Sequence, residues 1–86
     1  MKVVPAKEYE QKKNEIKIRQ YIYTALINSF GNDHDAYKSI KRNKLLKPII
    51  KLTNKILKET ENSSLVNAEQ MYVQELSKLI NLAHQS

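Results

Sequence analysis

Apolar side chains recur along this chain at spacings of three and four, the period of an α-helix, and nowhere alternate as in a half-buried strand. Ile18, Ile22, Ala25 and Leu26 form one stripe, and Lys17, Gln20, Thr24 and Asn28 form the opposite one. This pattern predicts a first helix from about Ala6 to Phe30. Ile16, Tyr23 and Ile27 widen its apolar face, so it is expected to be central and to touch several neighbours. The residues before Ile16 are mostly charged and are expected to reach past the core. Gly31 suits the left-handed position just beyond a helix end, where a side chain is strained.

A second, short helix is predicted from Asn32 or Asp33. Asn32 is a capping residue, and Asp33 and Asp35 put negative charge at the positive end of the helix dipole. Its inward residues are expected to be Ala36, Tyr37, Ile40 and Leu45. Pro48 has no amide hydrogen and disfavours helical geometry at Lys47. The expected result is a break, with Pro48 in the first turn of a third helix running to about Thr60; one continuous helix kinked at Pro48 is the alternative. Ile49, Leu52, Thr53 and Ile56 line the inner face of the third helix, flanked by Ile50 and Leu57. The fourth helix is expected to open at Asn67, with Gln70 completing a capping box and Val66 stapled to Met71. Tyr72, Leu76, Leu79, Ile80 and Ala83 are its buried stripe. Four amphipathic helices joined by short loops predict an all-α fold, an antiparallel four-helix bundle of up-down topology, in a single domain over residues 1–86.

Composition narrows the chemistry. The chain has no Cys and one Gly, which removes disulfide scaffolds, cysteine nucleophiles and Gly-rich phosphate loops. Its longest uncharged run, Gln20 to Asn32, has 13 residues, too few for a membrane-spanning helix. The opening Met1-Lys2-Val3-Val4-Pro5-Ala6-Lys7 lacks the apolar stretch of a signal peptide. A cytoplasmic protein is the expectation. His34 and His84 have no second ligand at metal spacing, and Glu8, Glu10, Glu15, Glu59 and Glu61 lie in polar runs that offer no dry cleft. Ser63 and Ser64 read as loop formers. No enzyme, metal site or cofactor is expected.

Charge is the strongest physical feature. Of the net +6, residues 1–30 carry +3, residues 31–58 carry +6 and residues 59–86 carry −3. Lys44, Lys47, Lys51, Lys55 and Lys58 recur as a basic stripe, whose third-helix members lie opposite the Ile49/Leu52/Ile56 side. The stripe reads either as a solvated face or as a surface for the phosphates of an anionic lipid leaflet. With almost no Arg and no interleaved aromatics, nucleic acid is not the expected partner. A small nucleic-acid-binding or regulatory protein using Lys38, Lys41, Arg42 and Lys44 is kept as the alternative function. A third reading makes part of the first helix's apolar face an oligomer interface. The tyrosines, Tyr9, Tyr21, Tyr23, Tyr37 and Tyr72, read as rim packing or as partner anchors.

The second half adds a family resemblance. Pro48-Ile49-Ile50-Lys51-Leu52 opens an amphipathic helix. A polar Asn-Ser loop follows, then Asn67-Ala68-Glu69-Gln70 opens a helix bearing Leu76, Leu79 and Ile80, and the chain closes on Leu79-Ile80-Asn81-Leu82-Ala83-His84. Over about residues 44–85 this resembles the immunity proteins of pediocin-like (class IIa) bacteriocins; the first half matches in helical character only. The chain departs from the family in its short second helix and in having almost no tail after the fourth. The resemblance implies a cytosolic helical bundle that protects the producing cell, with a peripheral position at the inner membrane face. It would act there on the bacteriocin-loaded mannose phosphotransferase permease. It also implies partner recognition by the last helix and its end, here Tyr72, Lys78, Asn81 and His84.

Overall fold

A computed structural model describes residues 6–85; the expectation for the stretch before Ala6 lies outside the described residues. The described residues are all-helical, in five helices: α1 (Ala6–Phe30), α2 (Asp33–Arg42), α3 (Leu46–Glu59), α4 (Leu65–Met71) and α5 (Val73–His84). The count exceeds the expected four because the last helix is interrupted at one residue, Tyr72, which leaves helical geometry at φ −110°, ψ 18°.

α1 is the axis. Ile18, Ile22 and Leu26 are fully buried, and the helix packs against α2, α3 and α5. Its polar stripe, Lys17, Gln20, Thr24 and Asn28, is exposed. Ile16 does not widen the buried face; it is 58% exposed, although Ile18 in the same turn is fully buried. A 25-residue helix is about 37 Å long, and the molecule is correspondingly elongated, 46 × 30 × 20 Å. The start of α1 still touches the rest: Gln11 Nε2 donates to Glu61 Oε1, just beyond α3, at 3.5 Å. α1 and α3 therefore run in opposite directions.

α2 begins as expected. The Asp35 amide donates to Asn32 Oδ1 at 2.8 Å, and Asn32 Nδ2 returns a bond to Asp35 Oδ2 at 2.9 Å. Its end was not foreseen. Lys44 adopts φ 53°, the Leu45 amide donates to the Ile40 carbonyl at 3.0 Å and the Lys44 amide to Lys41 at 3.3 Å. This is a Schellman ending, with buried Leu45 and Ile40 as its hydrophobic contact. A lysine stands where glycine is usual, at a cost of about 1–2 kcal/mol. The separation of α2 from α3 is thus made by this turn, and α3 opens at Leu46, two residues before Pro48. Pro48 sits in the first turn of α3, where its missing amide hydrogen costs no helical bond.

Ile49, Leu52, Thr53 and Ile56 are all buried, and Thr53 Oγ1 donates to the Ile49 carbonyl at 2.8 Å. The expected capping box at Asn67 is not formed. Ser64 caps α4 instead, accepting from the Asn67 amide at 3.2 Å. Starting there puts Leu65, Ala68 and Tyr72 on one face, toward the core, and turns Val66 and Met71 out at 60% and 59% exposure. The staple between them is therefore absent. On α5, Leu76, Leu79 and Ala83 are buried and Ile80 packs at the edge. α5 runs opposite to α3: Lys55 Nζ lies 3.4 Å from Glu75 Oε2 at one end, and Pro48 shares a groove with Leu82 at the other.

Where α1 and α5 both finish, α2 closes the core. Ser39 Oγ donates to the Ala83 carbonyl, and Asn43 Nδ2 donates to the same oxygen at 3.3 Å. His84 stacks on Phe30, with centroids 4.1 Å apart at 18°, and its Nε2 is 2.6 Å from Ser29 Oγ.

Candidate functional site

The five stripe lysines are exposed; Lys44 and Lys47 line one groove, and Lys51 and Lys55 line a second. The larger groove, about 1240 Å³, lies where α2 and the start of α3 meet α1. Tyr23, Tyr37, Ile40 and Leu46 give it apolar walls, and Lys38, Lys41, Lys44 and Lys47 surround them. Asp33 and His34 line it from the start of α2.

The wall residues explain the shape. Tyr37 was expected to face inward, yet it is 51% exposed. Ala36, Ser39 and Ile40 define the buried face of α2, which leaves Tyr37 on the flank beside Lys41. Its ring rests on Tyr23 at a centroid distance of 5.8 Å and 46° tilt. Leu46 is the first residue of α3 and 55% exposed. The Lys44 turn brings Lys38 and Lys41 of α2 together with Lys47 of α3. Sequence reasoning missed this groove as a unit. Lys38, Lys41 and Lys44 were grouped in the alternative nucleic-acid reading, but Tyr37 was read as facing inward, which hid the apolar wall beside them.

The smaller groove, about 230 Å³, runs between α3 and α5, and Lys51 and Lys55 face Lys78 across it. Lys55 is paired with Glu75, both partly exposed; such a pair contributes about 0–1 kcal/mol. Lys58 lines neither groove.

The four α5 residues implicated by resemblance are dispersed. Tyr72 packs against the core at the bend between α4 and α5. Lys78 faces α3, Asn81 is exposed away from the buried stripe, and His84 is held on Phe30 and Ser29 of α1. They do not converge.

One titratable pair lies outside both grooves. Burial pushes the Glu69 carboxyl above the ordinary carboxylate range, and burial together with the Glu69 charge pushes the Tyr21 hydroxyl up. A raised carboxyl binds protons more tightly folded than unfolded, so this contribution to stability falls as pH rises through the carboxylate range. Glu69→Gln is expected to raise the melting temperature near neutral pH and to converge with the parent in acid. Melting curves at both pH values check this; an equal offset in both would contradict it.

Among the described residues no three His, Asp or Glu side chains gather as a metal site, and no helix is long and apolar enough to cross a membrane. Comparison with protein-family models, with curated proteins and with solved structures finds no match.

Proposed function

We propose that this chain is an immunity protein of the pediocin-like bacteriocin type. It is a non-enzymatic binding module that protects its cell from the cytoplasmic side. The observation that carries the reading is the coincidence of the resembling segments with the core. Ile49 and Leu52 on α3, and Leu76, Leu79 and Ala83 on α5, are buried, while Lys51, Lys78 and Asn81 between them are exposed. The resemblance thus follows the positions that build a helical frame. In this reading the frame is a helical bundle in which α3 runs antiparallel to both α1 and α5, α2 closes one end, and α4 and α5 count as one arm bent at Tyr72.

The partner is the mannose phosphotransferase permease with its bound bacteriocin, approached at the inner membrane face, with a weak contact to the anionic leaflet. Electrostatics supports a receptor complex over free peptide, because these bacteriocins are cationic and a chain of net +6 repels them in solution. Recognition belongs to Lys78 and Asn81 of α5, to its His84 end and to Tyr72 at the bend. Expression in a sensitive strain tests the reading. Growth is expected at concentrations of one class IIa peptide that kill the parent strain; no gain across a panel of such peptides would overturn it.

One observation favours a second reading. Tyr37 lies among Lys38, Lys41 and Lys44, an aromatic within a basic patch such as nucleic-acid-binding surfaces use. That reading requires a gel shift that weakens steeply with salt, and its absence at low salt would remove it.

A further inference from the structure

We propose that the mouth of the larger groove is a docking surface for an anionic lipid bilayer. The proposal deepens the leaflet contact named above and rests on that part of the reading alone. It assigns the contact to α2 and the start of α3, not to the outer face of α3.

Two large apolar side chains, Tyr37 and Leu46, stand more than half exposed on the groove. Leu46 opens α3 directly beyond the left-handed turn at Lys44. Four lysines from three segments, Lys38 and Lys41 of α2, Lys44 of the turn and Lys47 of α3, share the groove with them. Lysine stems extend apolar walls while their ammonium groups stay in water. An anionic interface complements this arrangement: Leu46 and the Tyr37 ring enter the headgroup boundary, and the ammonium groups meet lipid phosphates. Each lysine near such a surface adds about fivefold to partitioning, so four give on the order of several hundredfold. The α3 face is the poorer candidate, because Lys55 is engaged by Glu75 there. Nucleic acid fits less well: Leu46 has no counterpart on a phosphate backbone, and Tyr37 leans its ring on Tyr23. Asp33 lines the groove from the first turn of α2 and opposes anions there, which orients the contact toward the Lys41–Lys47 side.

The chain has no Trp, so one introduced indole reports its own surroundings. Three full-length variants, Leu46→Trp, Tyr37→Trp and Val66→Trp, all at exposed positions, are titrated with two kinds of vesicle. One contains phosphatidylglycerol and phosphatidylcholine, the other phosphatidylcholine alone; circular dichroism verifies each fold. A blue shift is expected for the Leu46 and Tyr37 reporters with the anionic vesicles only, and none for the Val66 reporter on α4. In the Leu46→Trp background, Lys41→Glu with Lys47→Glu is expected to weaken binding by at least about tenfold, and Lys51→Glu with Lys55→Glu far less. The proposal is overturned by no shift at low salt, by an equal shift at Val66, by equal effects of the two charge reversals, or by oligonucleotide binding without vesicle binding. Vesicle binding without bacteriocin protection sustains this proposal and sinks the immunity reading; protection without vesicle binding does the reverse.

Discussion

Replacing Ile22 with Ala is expected to cost about 3–4 kcal/mol of stability, the largest effect of any single truncation considered. Ile22 is fully buried at the middle of α1, the helix that packs against α2, α3 and α5. Removing its outer carbons forfeits their transfer energy and leaves a cavity that three rigid neighbours cannot readily close. In a domain of this size such a loss lowers the melting temperature by on the order of 15 °C. It also consumes much of the roughly 5–15 kcal/mol that holds a typical domain folded. The matched control lies six residues earlier on the same helix. Ile16→Ala, at an exposed site, is expected to change stability by less than about 0.5 kcal/mol. Chemical denaturation of the two variants measures the contrast, and similar costs would show that the core does not end where it is drawn.

Ser39→Ala is expected to cost about 1–2 kcal/mol, although it removes a single oxygen. The Ala83 carbonyl belongs to the last turn of α5 and has no donor within its own helix. Ser39 and Asn43 supply one from α2, and Ser39 is buried, so water replaces the lost bond poorly. Asn43 also bonds the Ser39 carbonyl and hydroxyl, each at 3.1 Å. The two side chains act together, and Ser39→Ala with Asn43→Ala is expected to deviate from the sum of the single costs by at least about 0.5 kcal/mol. Amide exchange in the last turn of α5 should accelerate in each variant. A Ser39→Ala protein of unchanged stability and exchange would mean that α2 does not hold the end of α5.

Both predictions concern features of different legibility. The importance of Ile22 follows from a stripe of period three to four running through Ile18, Ile22 and Leu26. The role of Ser39 does not, because a serine in a short polar helix normally faces water; it is buried only because α5 finishes against it. Tyr37 erred in the opposite sense. Its place in the stripe pointed inward, but the narrow face of α2 is filled by Ala36 and Ile40, and the ring was displaced to the flank. The two grooves were illegible for the same reason. Each takes residues from separate helices, and the lysine period that suggested one stripe says nothing about which neighbours flank it.

What the chain determined locally was the helical class, the span of α1, the Asn32 cap of α2 and the buried residues of α3. These rest on interactions within a turn or two, where side-chain period and backbone preference act without reference to distant segments. The tertiary structure decided the rest: the Ser64 start of α4, the bend at Tyr72, the left-handed turn at Lys44 and the division of the lysines. At each of these points local preferences are nearly balanced. Ser64 and Asn67 are both residue types that suit a cap, no Pro or Gly marks Tyr72, and lysine pays in strain at a positive φ. Burial of Leu65, Ala68, Leu45 and Ile40 outweighs differences of that size, and burial is settled only when the helices meet.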